Sequence, residues 1–428
     1  MNKFDPAAYI SSLNIDVMRF GLDAEIGLLS RLGDPQHSYK TILIAGTNGK
    51  GSTAAMISSI LHTAGYRTGL YTSPHLIDVR ERIAVNGKKI AQSAFREVLA
   101  AVKKEVAEPV TYFEVLTAAA LLYFQRRKVD IAVLEAGLGG RLDATNVCRP
   151  LVAVITNIDF DHTAYLGKTL TAIAGEKAGI IKKGGVCVTA ATQSRVLNVL
   201  EDACRRKQAR FYKLGSAMKI RRQKDGRIAY CGLYRDLNNL KLALPGGHQL
   251  ANAALALATI EIIGKKGFPT TAAAVEKGLA ATRWAARLEI LCRRPLFVVD
   301  GAHNPAGIKV LCRALKNDFS YRRLVLIFSA LADKDYHRML RKIAPLAQQI
   351  ILVQLRSQRA VPVTIMQEYL NKNGYRAVIA ENAAAAVKLA FDLAVDCDMI
   401  CGAGSLYLAG EIKQAFPPPV SCGKNPDV

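Results

Sequence analysis

The chain has 428 residues, half of them hydrophobic and 22% charged. At roughly 150 residues per domain this predicts two or three domains, and it excludes intrinsic disorder as the main state. Lys+Arg 58 against Asp+Glu 35 leaves a net charge of +23, which favours anionic partners (phosphates, nucleic acids, polycarboxylates) without choosing among them. The N-terminus MNKFDPAAYI lacks the apolar core of a signal peptide, and no run of about 18 uncharged apolar residues is present. A cytoplasmic protein with no membrane span is expected. The nine cysteines form no C-x-x-C pair and mostly sit in apolar runs, so free buried thiols are expected and not a disulfide scaffold or a zinc site.

The first 40 residues read as one or two helices ending near Gly33-Asp34-Pro35. TILIAG (41–46) is a short β-rich run, a Gly-rich turn follows, and residues 52–66 carry Met56, Ile60 and Leu61 at helical spacing. Glu114–Gln125 reads as a helix, and 130–134, 151–156 and 186–189 read as buried strands. Continuous apolar strands alternating with helices predict a parallel sheet covered on both faces. Residues 211–245 alternate polar and apolar, with a hairpin around Asp225-Gly226, which predicts a small antiparallel sheet. Residues 248–263 read as a long amphipathic helix. A second α/β series begins at LFVVDGAHNP (296–305) and continues through strands at 324–328, 350–354 and 399–401. The boundary is expected near Arg283–Glu289, giving domains 1–285 and 286–428, with a loose Pro-rich tail.

Gly46-Thr47-Asn48-Gly49-Lys50-Gly51-Ser52-Thr53 lies between the first strand and its helix. Successive backbone N–H groups and a helix N-terminus make an anion cradle there. Lys50 can place a charge on the β- and γ-phosphates, and Ser52 or Thr53 can help hold the nucleotide or its Mg²⁺. The spacing departs from the G-x-x-x-x-G-K-[ST] pattern, because only two residues separate Gly46 from Gly49 and Gly51 precedes the hydroxyl. The plainer reading is a Gly-rich turn with an exposed lysine.

The segments AGTNGKGST, TSPHLIDVRERI, LEAGLGGRLDATN, NIDFDHTAYLG, GEKAGIIKKG, GHQLANAALAL, DGAHNPAG and GSLYLAGEI run in order from Ala45 to Ile412, within a similarity that extends from about residue 9 to 413. Together they resemble the successive signatures of the folylpolyglutamate synthase/dihydrofolate synthase family, within the Mur ligase superfamily. The resemblance implies an α/β fold: a P-loop-containing parallel-sheet N-terminal domain with a small β subregion (an ATP-binding, Mur-ligase-like central domain), then a smaller Rossmann-like C-terminal glutamate-ligase domain. It implies ATP-dependent amide formation between a folate-type carboxylate and L-glutamate through an acyl phosphate. The implied acceptors are reduced folates, with dihydropteroate as a further one, and the implied cofactor is Mg²⁺, two ions. A monomer without specific nucleic-acid or membrane partners is expected.

That chemistry crowds negative charge, which metal ions and cations must neutralise. Glu135 ends the strand DIAVLE, where ligands of open α/β sheets bind, and a hard Mg²⁺ wants such an oxygen. The resemblance makes His162 and Ser73 further metal ligands, although imidazole more often binds softer metals. It makes Lys177 of Gly-Glu-Lys-Ala-Gly the lysine that this superfamily carbamylates with CO₂ to bind the second Mg²⁺. On local sequence alone Lys177 is a surface helix lysine. Asn252, Arg287, Asp300 and His303 match family nucleotide contacts, with the second domain expected to close over the nucleotide. Thr111, Phe113, Asp143 and Ala144 match positions near the pterin site, with Phe113 as a stacking face, while a Thr cap on a buried helix is an equal reading of Thr111–Phe113. Arg80 and Arg82 in DVRERI can attract the substrate's carboxylates, or they form an ordinary solvated charge run.

One departure stands out. Relatives usually carry Trp-Pro-Gly or Trp-Pro-Ala before the linker arginine, and this chain has Trp284-Ala285-Ala286-Arg287, which frees φ and restores an N–H. A UDP-muramoyl-type peptide ligase is the nearest rival, but its additional N-terminal domain of roughly 100 residues is not expected, because only 45 residues precede Gly46. A nucleic-acid-dependent ATPase is motivated by the charge, yet the basic pairs are scattered and no basic–aromatic stripe occurs.

Overall fold

The computed structural model describes residues 4–13 and 21–416. Residues 14–20 of the expected first helices, and the Pro-rich tail from residue 417, lie outside the described residues. The described chain divides into two compact units. One comprises the residues up to Ala243 together with Gln249–Arg283, and the other comprises Leu244–His248 and the residues from Trp284 onward.

The first unit is built on an eight-stranded sheet. Its strands are β1 (Lys40–Ala45), β2 (Thr68–Tyr71), β3 (Ile83–Val85), β4 (Lys88–Lys89), β5 (Ile131–Glu135), β6 (Val152–Ile155), β7 (Val186–Thr189) and β8 (Arg210–Lys213). They lie in the order β4-β3-β2-β5-β1-β6-β7-β8. The expected parallel sheet is the body of this arrangement, but β3 runs antiparallel to both β2 and β4, so the sheet is mixed. β1 sits between β5 and β6 and is buried from Thr41 onward, which is why it carries no polar alternation. In the ladders Ile44 pairs with Glu135 and with Val154. Ala45, Glu135 and Ile155 therefore end at one level, and the loops that leave them share one end of the sheet.

Residues 211–213 do not belong to the small sheet expected for 211–245. They complete β8, which pairs in parallel with β7 after the helix Ser194–Arg206 crosses over. The small antiparallel sheet is formed by β9 (Lys219–Arg222), β10 (Ile228–Cys231) and β11 (Asp236–Leu240), with β9 and β10 joined around Asp225-Gly226. The helix Gln249–Gly264 is not amphipathic: its residues 252–263 are all buried. It packs on the helix Lys50–Thr63 as well as on β6, β7 and β9, so no side is left to water.

Glu261 on that helix anchors the small sheet. Its carboxylate accepts from the Tyr230 hydroxyl at 2.8 Å and from the N–H groups of Leu233, Tyr234 and Arg235 at 2.8, 3.1 and 2.9 Å. Glu261→Ala strands four donors and is expected to cost about 3 kcal/mol in chemical unfolding, with Glu261→Gln milder. Equal stability of Glu261→Ala and the parent would remove this anchoring role.

The second unit holds β12 (Glu289–Arg293), β13 (Leu296–Val299), β14 (Leu324–Phe328), β15 (Gln349–Val353), β16 (Ala377–Ala380) and β17 (Met399–Ala403). The order is β12-β13-β17-β14-β15-β16, parallel except for β12 on β13. Its core gathers Leu326, Phe328, Met339, Leu340, Leu352 and Met366. Among the described residues no helix is long and apolar enough to cross a membrane, and the eight described cysteines are free, five of them buried.

Candidate active site

The turn after β1 requires glycine twice. Gly46 has φ +148°, and a Cβ there would stand 1.8 Å from Thr156 Oγ1. Gly49 has φ +84° and caps the helix Lys50–Thr63, and a Cβ there would stand 2.4 Å from Asn252 Oδ1. Asn252 therefore lies against the phosphate loop, and its Nδ2 donates to Gln249 Oε1 at 2.8 Å. The loop is clamped from the end of β6. Thr47 N donates to Asn157 O at 2.9 Å and Asn48 N to Asn157 Oδ1 at 2.8 Å, while Thr156 Oγ1 donates to Asn48 O at 2.7 Å. Thr47 Oγ1 donates to Asp159 O at 3.1 Å. Gly51, Ser52 and Thr53 form the buried first turn of the helix.

Lys50 Nζ lies 4.0 Å from Glu135 Oε1 and 3.3 Å from Thr47 O. Glu135 is buried at the end of β5, and its Oε2 accepts from Ser73 N at 3.2 Å. Lys177 is not the surface lysine of the local reading. It is 4% exposed, and its Nζ donates to Gly46 O at 3.1 Å. Burial first, and then the Lys50 charge, lower its pKa to about 7. Its helix, Leu170–Ala178, is held against the Gly137–Arg141 loop because Gly179 has no Cβ: one would meet Arg141 Cα at 2.3 Å. Arg141 N donates to Glu176 O at 2.8 Å on the same helix.

Glu135 and Ser73, one carboxylate and one hydroxyl residue side by side, fit a hard divalent ion. His162 begins a short helix in the left-handed region (φ 50°), 3.8 Å from Asp161. Among the described residues no group of three or more His, Cys, Asp and Glu converges on a metal position.

Among the residues expected near the pterin, Thr111 is a helix cap. Its Oγ1 accepts from Glu114 N at 3.2 Å, and Glu114 Oε2 accepts from Thr111 N at 2.6 Å. Phe113 lies against Gly137, where a Cβ would meet its ring at 2.6 Å, and 6.0 Å from the Tyr71 ring. Asp143 is buried, accepts from Leu138 N at 2.8 Å and Thr145 N at 3.0 Å, and burial pushes its carboxyl up. Ala144 follows it, buried in a short 3-10 turn. Arg82 is buried and stands over Tyr112, beside Phe113. Arg80 does not join it, because it forms an ion pair with Asp78.

In the second unit, Asp300 accepts from Leu288 N at 2.9 Å and Ala302 N at 2.8 Å, and His303 Nδ1 donates to Gly301 O at 2.8 Å. Arg287 Nη1 donates to Ala286 O at 3.2 Å. Ala286, in the departing linker, is fully buried with φ 51° and donates to Glu289 Oε2 at 2.8 Å. The left-handed residue is thus the one that follows Ala285, the position at which relatives usually carry proline.

The sequence reading passed over Thr156, Asn157, His75, Tyr112 and Glu25. Thr156 and Asn157 follow an apolar strand, the same signal that marked Glu135 and Asp300. Nothing local marked Glu25, which is fully buried with both carboxylate oxygens unpartnered. Burial, then Glu114 and Asp143, push its pKa well above the ordinary value. The folded chain therefore keeps a proton that the unfolded chain releases above about pH 4.3, so this residue lowers stability as pH rises. Glu25→Leu is expected to stabilise the protein by about 1–3 kcal/mol at pH 8 and by less at pH 5 in urea unfolding. An equal gain at both pH values would mean that the carboxyl is not held neutral.

Residues 44–260 match the Mur ligase middle domain, and 286–406 the Mur ligase glutamate ligase domain. The chain is 38% identical over 351 residues to the dihydrofolate synthase/folylpolyglutamate synthase of Bacillus subtilis, covering 78% of this chain and 81% of that protein. The Mycobacterium tuberculosis folylpolyglutamate synthase complexed with ADP superposes with a TM-score of 0.90 at 34% identity, over 98% of each chain. The bifunctional folylpolyglutamate synthase/dihydrofolate synthase of Yersinia pestis with Mn, AMPPNP and L-glutamate bound gives 0.86 at 29% identity, over 96% of each. With the loop, its lysine and the carboxylate at the strand end in place, the chain belongs to the folylpolyglutamate synthase/dihydrofolate synthase family of ATP-dependent Mur-type ligases.

Proposed function

We propose that this chain joins L-glutamate both to dihydropteroate and to reduced folates, using ATP and Mg²⁺. The observation that carries the reading is the convergence of Lys50, Glu135 and the buried Lys177 on the Gly46–Thr53 loop. A carboxylate is a poor electrophile, because its charge repels nucleophiles and its leaving group would be oxide. Transfer of the γ-phosphoryl group makes the leaving group phosphate, and the glutamate amine then displaces it, giving amide, ADP and phosphate. The loop N–H groups hold the nucleotide phosphates, and Lys50 offsets the charge that builds on the transferred group. Glu135, Ser73, His162 and a carbamylated Lys177 would hold one or two Mg²⁺, which supply further neutralisation when bound. Asn252, Arg287, Asp300 and His303 are assigned to the nucleotide. Arg82, Phe113, Asp143 and Ala144 are assigned to the folate side, while Thr111 acts there through its cap. We read the protein as a cytoplasmic monomer.

The test is ADP release with glutamate and each acceptor in turn, with product length read by mass. Amide products from both acceptor classes are expected, and Lys50→Ala is expected to lower turnover about 100-fold. Failure to form any amide bond, or ADP release stimulated only by nucleic acid, would overturn the reading.

A further inference from the structure

Arg82 is a permanent cation in a buried place, and its surroundings hold it without cancelling it. It is 8% exposed. Its Nε donates to His75 Nδ1 at 3.0 Å, and its guanidinium carbon stands 5.3 Å from the centre of the Tyr112 ring. Neither nearby carboxylate serves it. Glu81 accepts from the N–H groups of Leu76 and Asp78 at 2.8 and 3.0 Å. Asp78 is taken by Arg80 and by Lys89, the latter at 3.2 Å. Among the described residues no carboxylate forms an ion pair with Arg82.

An imidazole nitrogen that accepts from a guanidinium must be unprotonated, because arginine is only a donor. A carboxylate at position 75 would make the same hydrogen bond and also neutralise the arginine. The neutral ring fixes the orientation of the guanidinium and leaves its charge available.

We propose that His75 is a positioning residue: as an uncharged acceptor it holds the Arg82 guanidinium over Tyr112 so that the arginine presents an uncancelled charge to a substrate carboxylate. The inference rests on the assignment of Arg82 to the folate side. The carboxylate belongs either to the folate-type substrate or to the incoming glutamate, and separate KM measurements distinguish the two.

Four variants test the inference. Arg82→Met is the reference and should raise KM for one carboxylate substrate about tenfold or more while leaving KM for ATP alone. His75→Asn offers a neutral oxygen near the place of Nδ1 and should stay within about threefold of the parent. His75→Leu, which removes the acceptor, should raise the same KM as Arg82→Met. His75→Asp should raise it too, about tenfold, although its thermal unfolding midpoint equals or exceeds the parent's, since the hydrogen bond is kept and only the charge is cancelled. If His75→Asp binds like the parent while Arg82→Met does not, or if His75→Asn is as impaired as His75→Leu, the positioning role fails. If Arg82→Met leaves every KM unchanged in an active enzyme, the folate-side assignment of Arg82 fails, and this inference with it.

Discussion

Lys177→Met is expected to lower turnover by about a thousandfold, which is roughly 4 kcal/mol of transition-state stabilisation. The side chain is sealed between the phosphate loop and the Gly137–Arg141 loop, with Nζ on Gly46 O at 3.1 Å. Its pKa, lowered to about 7 by burial and then by Lys50, leaves half of the amine neutral near neutral pH, whereas an ordinary lysine is almost wholly charged there. Only the neutral amine attacks CO₂. The ammonium would first lose one proton; the amine nitrogen would then bond the CO₂ carbon as one C=O electron pair moves onto oxygen, and a second proton would leave the nitrogen, so that a cation becomes an anion. That reversal would relieve the repulsion with Lys50 and supply an oxygen donor beside Gly46. Turnover of the parent should therefore rise with bicarbonate. It should fall as pH drops below about 7, because protonation of the amine removes the carbamate. Lys177→Glu should retain a small share of activity, and Lys177→Met none above background. Turnover that ignores CO₂ and survives Lys177→Met would end this account of the residue.

Gly46→Ala should be the single change in the loop that costs the most stability. The new methyl carbon would lie 1.8 Å from Thr156 Oγ1 and 3.1 Å from Thr156 N, at φ +148°. The threonine cannot swing away freely, because its hydroxyl holds Asn48 O at 2.7 Å. Either the loop lifts off β6 or its inner hydrogen bond breaks. We expect a loss of about 3 kcal/mol in chemical unfolding and turnover below about a tenth of the parent's. Adding Thr156→Ala removes the closest atom, so the double variant should regain part of the stability but not the loop's grip on phosphate. A Gly46→Ala protein that unfolds like the parent would show that the turn tolerates a side chain.

Much of the architecture was legible because its causes are local. Apolar runs such as Ile42–Ala45 and Ile131–Leu134, bounded by Gly-rich turns, have no polar alternation, so they had to be buried on both faces. The phosphate loop was legible for the same reason: glycine at Gly46 and Gly49 is a backbone demand that any reader of the chain can see. Glu135 ends an apolar strand and Asp300, assigned by the family resemblance, directly follows one, and both places are where ligands of open sheets collect. The antiparallel β3 was not found, since three residues carry no mark of direction. Residues 248–263 read as an amphipathic helix in sequence, because the all-round burial of the observed helix depends on which layers enclose it.

The sequence by itself therefore determined two α/β series and a Gly-rich turn between the first strand and its helix, because these follow from periodicity and glycine placement over a few residues. Only the tertiary structure decided the state of the side chains. Lys177 is set against Gly46, 131 positions away, where burial and a neighbouring cation change its protonation. Glu25 loses every partner, and Arg82 finds a neutral one in His75. Charge and reactivity depend on what surrounds a group in space, and no local pattern of residues records that.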